Sequence, residues 1–429
     1  MNKEEIKLAV LSAIDKSRDE IINIGRKILK NPEMGYKETK TAKTVSDFLS
    51  SLGIPTKEGV ALTGIKATMP CGTPGRTVAV MGELDAVICR SNPDADEATG
   101  AAHACGHNAQ IAAMLGAAVG LSAVREHLTG NVTFFATPAE EFVELGWRGE
   151  LVKNGKIGFL GGKQELIRQG EFDDVDMAMM VHAEGNTPDA AAIIGGGSLG
   201  FVAKTVEFVG RAAHAGGAPH EGVNALNAAM AALMCIHAQR ETFRDEDRVR
   251  VHPIITSGGE LVNIVPASVT METYVRASNL TAIKDASEKV DRAIQGAAYA
   301  IGAEAKTENI KGYLPLYQNE GMSAAFKENA ERFIPKERIL EGIDMVGSSD
   351  VGDLSHVMPV IQPTMGGYFG SAHSKEFKIS NEELAYIIPA KIMALTVVDL
   401  LSEGGKLAEK ILRDFKPRLT KEEYVSYEI

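Results

Sequence analysis

Short apolar runs at 76–81, 131–136 and 176–181 alternate with a helical stretch, and this alternation limits the fold more than any other feature. Each run is too short for a helix and is bounded by turn residues. Between the first two lies 111–124, Ala-rich and helical. Strands alternating with helices at this spacing predict an α/β class: a mostly parallel sheet with helices on both faces. Ahead of them, Ile6, Val10, Ile14, Ile21, Ile22 and Ile28 recur at helical spacing, and 44–52 continues the pattern up to Gly53.

The middle of the chain changes character. Strand-like 199–209 is followed by an Ala-rich helix at 222–239, strands at 248–256 and 269–276, a helix at 280–301 and a strand at 303–310. That order, β-α-β-β-α-β, is a ferredoxin-like α+β unit. The segment 382–401 then returns to a long apolar helix. A chain of 429 residues, 45% hydrophobic, exceeds one ordinary domain. We therefore expect a catalytic domain at 1–198 and 315–429, with 199–314 inserted and the glycines at 195–197 as hinge.

A net charge of −12 argues against non-specific nucleic-acid binding. No apolar run reaches the roughly 18 residues of a membrane span, so no membrane partner is expected. The charged opening segment does not read as a secretory signal. Four scattered cysteines do not form a disulfide framework, and a reducing cytoplasm is the expected location.

Ligands bind beyond the carboxyl ends of strands in open α/β sheets. The first run delivers Glu83 and Asp85 there, and the second delivers TPAEE, where Pro138 stops the strand before Glu140 and Glu141. The third ends on His182, the loop before the Ala-rich helix carries His103, Cys105 and His107, and a glycine-rich stretch presents His373. Cys105, His107, Glu141, His182 and His373 are thus five candidate ligands converging on one sheet edge, and thiolate, imidazole and carboxylate suit zinc or similar ions. Three protein ligands serve one open tetrahedral site, so five suit two ions sharing a bridging water. A free carboxylate must then accept the water's proton, and an adjacent Glu-Glu pair provides one group for metal and one for water.

At these residues the chain resembles the aminoacylase and carboxypeptidase family of dinuclear metallo-amidohydrolases, with a zinc-peptidase-like catalytic domain. The branch is that of hippurate hydrolase, indole-acetyl-amino-acid hydrolase and aminobenzoyl-glutamate hydrolase. The matching stretches are NPEMGYKE, GELDAV, AHACGHN, TPAEE, FDDVDMAMMVHA, GRAAHAGGAPHEGVNAL, GGELVNIVP and SAHS. The resemblance implies that Cys105, His107, Glu141, His182 and His373 bind two Zn²⁺ or Mn²⁺ ions, with Glu140 as general base and acid. It implies that Asp85 orients a ligand imidazole, that His214 polarises the scissile carbonyl, and that Asn263 and Arg276 hold the substrate carboxylate. It further implies a homodimer formed through the inserted domain, and a small N-acyl or N-aroyl amino acid, or a dipeptide, as substrate.

Three features depart from the family pattern: Asn108 where many relatives carry Asp, Glu83 where Asp is usual, and an insertion at 142–160 holding the only tryptophan, Trp147. The insertion reads either as a pocket element or as a surface or dimer-contact elaboration. A narrower reading is an aminobenzoyl-glutamate hydrolase subunit. Rivals from other classes are a Cys105-nucleophile hydrolase with His107 and a non-catalytic binder of acyl amino acids or peptides.

Overall fold

The computed structural model describes residues 1–185, 187 and 190–427. The chain divides into two compact units. The first comprises Met1–Gly197, Tyr317–Asp344 and Asp353–Val425, and the second comprises Ser198–Leu316, Met345–Gly352 and Ser426–Ile429. The sequence pattern places 345–352 in the catalytic domain, and the structure corrects this. The amide of Leu199 donates to the carbonyl of Gly347, which ties that segment to the second unit.

The first unit is built on a six-stranded sheet in the order Thr56–Val60, Gly64–Pro70, Thr129–Thr137, Thr73–Glu83, Met177–Met179, Val360–Ile361. The last four strands pair in parallel, and the first two add on antiparallel. The helix His107–Ser122 is buried on nearly every face. Small residues make this possible, because a side chain at Gly116 would meet Ala390 and one at Gly120 would meet Val10 and Ile14. Neighbouring helices therefore approach close to its backbone.

The C-terminal apolar helix corrects one expectation. Glu383–Leu401 is, by length and composition, apolar enough to cross a membrane. However, 83% of its most apolar window is buried inside the protein, where it packs as a core helix. It starts with a π-helical turn, Glu383–Ile387, before the α-helix Ile388–Leu401. Pro389 lies just past that turn, and its missing N–H cannot make the usual i→i−4 bond.

The second unit carries a five-stranded antiparallel sheet under two helices, Ala225–Ala238 and Leu280–Ile301. Its central strands Gly200–Val209 and Ser268–Ala277 pair over their full length, and Glu304–Lys311 closes one edge. The strand expected at 248–256 is broken into Arg250–Val251 and Ile254–Ser257. Pro253 lies in the gap and has no amide to donate to the ladder. The element order is the ferredoxin-like one.

Candidate metal centre

Five segments of the first unit aim side chains at one place. The strand Thr73–Glu83 runs out at Glu83 and leads to Asp85, both fully buried. The strand Thr129–Thr137 ends at Pro138, and Ala139 then takes a left-handed φ of 53°. This turns the buried pair Glu140 and Glu141 away from the sheet. Cys105 precedes Gly106, whose φ is 79°, at the start of the buried helix. A Cβ on Gly106 would lie 2.7 Å from the Cβ of Ala183, so the turn needs glycine for both backbone and space. His182 belongs to His182–Ala183, where the chain has left the main sheet to pair with Thr364–Met365. His373, with φ 61°, donates its amide to the carbonyl of Ala104 and so lies against the Cys105 turn.

These side chains form three overlapping donor groups, each with its atoms within 4.8 Å of one another: Cys105, His107 and His182; Cys105, Glu141 and His373; Glu83, His107 and Glu140. Cys105 Sγ is 3.5 Å from His182 Nε2, and Glu141 Oε1 is 3.0 Å from His373 Nε2. All five expected ligands are therefore brought together. Glu83, a departure from the family pattern, lies with its Oε2 3.1 Å from His107 Nε2. Its other oxygen is 2.6 Å from the ammonium of Lys163, and both side chains are fully buried. Sequence reasoning misses Lys163 because a lysine at the start of an ordinary helix reads as solvated surface; a buried lysine requires a partner. Glu140 Oε2 is 3.9 Å from His107 Nε2.

Asp85 sits behind His107. Its carbonyl oxygen is 2.9 Å from His107 Nδ1, and its carboxylate accepts the amide of Glu141 at 2.9 Å. Nδ1 is thus the donor, which leaves Nε2 to face the donor cluster. Asn108 points elsewhere, donating to the carbonyl of Gly25 and to Tyr386 Oη in the helix packing.

The electrostatics match a cation cage. Burial raises the Cys105 thiol, but the imidazoles of His182, His107 and His373 overcome it and hold the thiol well below its ordinary range. Burial disfavours the charged imidazole of His107, yet Glu83, Asp85 and Cys105 hold it well above the usual value. Hydrogen bonds donated by its imidazolium to Cys105 and Glu141 push His373 up to about 11. These imidazoles hold protons that a bound cation would displace. Glu83 Oε2 and His107 Nε2 are buried and face each other at 3.1 Å, without a well-directed hydrogen bond among the described residues. Buried polar atoms of this kind need a partner, and a metal ion supplies one. The donor set fits a divalent metal.

The remaining expected residues lie in the second unit. His214 is exposed, and its Nδ1 accepts the amides of Gly216 and Gly217 at 3.2 and 2.9 Å, so Nε2 carries the hydrogen. The amide of Ala215 donates to the carbonyl of Asn263, which brings His214 and Asn263 together. Arg276 donates to Ser348 Oγ at 2.7 Å and stacks over Phe201 and Tyr274.

An α/β unit with clustered thiolate, imidazole and carboxylate donors and a second carboxylate beside them defines a metal-dependent hydrolase of amide bonds. Residues 79–397 match the profile of Peptidase family M20/M25/M40, and the chain belongs to that family. The chain is 29% identical to a Homo sapiens Xaa-Arg dipeptidase, over 99% of this chain and 95% of that protein. Its identity to one component of the Escherichia coli p-aminobenzoyl-glutamate hydrolase is 31%, over 57% of this chain and 55% of that component. A Bacillus subtilis structure described as a dinuclear metal-binding peptidase shares the fold, with a TM-score of 0.71 at 21% identity. That alignment covers 90% of this chain and 99% of the other.

Proposed function

We propose that this protein hydrolyses the amide bond of an N-acyl or N-aroyl amino acid, or of a dipeptide, using two divalent ions, Zn²⁺ or Mn²⁺. The observation that carries the reading is the division of the Glu140–Glu141 pair. Glu141 falls in the group with Cys105 and His373, while Glu140 falls against His107 in the neighbouring group. Adjacent carboxylates thus serve different tasks.

Cys105, His107, Glu141, His182 and His373 would hold the ions, and Asp85 fixes the tautomer of His107. Bound divalent ions would supply Lewis acidity to the attacking water and the scissile carbonyl. Glu140 takes the proton from that water and delivers it to the departing amine. His214 donates its Nε2 hydrogen to the carbonyl oxygen as charge develops there. Arg276, whose planar fork suits a carboxylate, and Asn263 hold the amino-acid end. Met230 and Met234, one turn apart on the helix Ala225–Ala238, are exposed apolar side chains of the second unit, as are Ile254 and Val262, and these support a homodimer formed there.

Full-length similarity to the dipeptidase supports a dipeptide-like substrate, whereas the aminobenzoyl-glutamate reading is not favoured, since that similarity covers little more than half the chain. We expect Glu140→Gln to abolish turnover of a panel of dipeptides and N-acyl amino acids while bound metal, counted by atomic spectroscopy, is unchanged. Near-normal activity would remove Glu140 from the mechanism. Dialysis against a chelator should abolish activity, and added Zn²⁺ or Mn²⁺ should restore it. A Cys105-nucleophile enzyme would be indifferent to both treatments.

A further inference from the structure

The insertion that follows Glu141 buries a charged side chain that the proposed mechanism does not use. It folds as the helix Leu145–Lys153, and from it Arg148 reaches inward and is fully buried. One guanidinium nitrogen donates to the carbonyl of Leu160 at 2.9 Å, at the far end of the same insertion. Nε and Nη2 make no hydrogen bond among the described residues. The guanidinium lies 5.3 Å over the ring of Tyr36. A Cβ on Gly35 would come within 2.3 Å of Nη2 and 2.8 Å of the Cα of Ala139. The guanidinium and the left-handed turn residue before Glu140 therefore crowd the same glycine.

Ala139 is held on its other sides as well. Its amide donates to the buried carboxylate of Glu38 at 2.8 Å, and its carbonyl accepts the amide of Gly162 at 3.0 Å. Gly162 lies just after the insertion ends, so the chain leaves this turn at Phe142 and returns to it at Gly162. A left-handed alanine is strained and persists only where its surroundings enforce it.

We propose that Arg148 is a positioning residue: the insertion is a latch whose buried guanidinium, with Glu38 and Gly162, locks the Ala139 turn and so aims Glu140. The inference rests on the role of Glu140 proposed above. A carboxylate displaced by about 1 Å from its reacting water loses about 100-fold in rate.

The test uses the metal-loaded enzyme and its Arg148→Met and Gly35→Ala variants. Gly35→Ala keeps the guanidinium but crowds it out. We expect kcat to fall about 100-fold in both variants, with KM and bound metal unchanged, and hydrogen exchange of the amides at 139–144 to accelerate. A kcat that stays at the wild-type value in a folded, metal-loaded variant overturns the proposal. So does a raised KM with kcat retained, which would place Arg148 on the substrate. If neither variant folds, the wild-type protein decides. Amides at 139–144 exchanging as slowly as those of the strand Thr129–Thr137 support the latch, and fast exchange there overturns it. An active Glu140→Gln enzyme would instead sink the functional reading while leaving the exchange result intact.

Discussion

Removing the ammonium of Lys163 tests how the protein tolerates so many charges in one buried place. Lys163 and Glu83 are both fully buried with 2.6 Å between their charged atoms. Burial alone would raise the Glu83 carboxyl, but Lys163 and then His107 hold it below the usual carboxylate range. A depressed carboxyl contributes stability above its ordinary pKa of about 4.3 and loses it as pH falls through its folded value. In Lys163→Met the sign reverses. Burial then dominates, the folded carboxyl titrates above the unfolded one, and the penalty is largest at neutral pH. Breaking one side of a buried pair costs about 3–5 kcal/mol. The first unit has about 300 residues. At roughly 2 cal/mol/K per residue its unfolding entropy is about 0.6 kcal/mol/K, so Tm should fall by about 5–8 °C. The assay is thermal and urea unfolding of chelated protein at pH 7.5 and pH 5. The loss should shrink at pH 5, and Glu83→Gln with Lys163→Met should recover most of it. A loss that is equal at both pH values, or absent, would refute the reasoning.

Other expectations follow from the same geometry. Burial and the charge of Asp85 raise the Glu38 carboxyl to about 7. A raised carboxyl costs stability as pH climbs from its ordinary value toward 7, so Glu38→Gln should stabilise the protein at pH 8 by up to about 3 kcal/mol and hardly at all at pH 4; urea titration at the two pH values checks this. Gly106→Ala adds a side chain at φ 79° and 2.7 Å from Ala183; we expect a loss of at least about 1–2 kcal/mol from the backbone alone, with weaker metal uptake, measured by unfolding and by metal titration. Replacing both Met230 and Met234 by Glu should leave the protein monomeric in analytical ultracentrifugation if this exposed face joins two copies.

The sequence made visible those parts whose physics is local. Ala- and Gly-rich periodicity marks the buried helix, and strand ends locate the ligand-bearing turns. The strands Thr56–Val60 and Gly64–Pro70 escape notice because one carries TKEGV, with charged and polar residues on an edge. The apolar pattern puts His182 at the end of the third strand, but that strand stops at Met179 and the chain pairs with Thr364–Met365 further on. Such a handover depends on a partner 182 residues away and leaves no local pattern. Lys163 and Arg148 sit in stretches of ordinary polar composition, and only tertiary contacts show that both charges are buried.

The chain's return to Ala139 through Gly162 separates the length of the excursion from the shape of its base. Gly146, Gly149 and Gly155 have open space around them. Residues added near Gly155 would lengthen a closed loop whose entropic cost grows only by about 0.6 kcal/mol per doubling. That makes the outer end of the excursion a natural splice point for a fluorescent reporter. Such a reporter would be tethered about fourteen residues after Glu141 and seven before Gly162, where the chain rejoins the Ala139 turn.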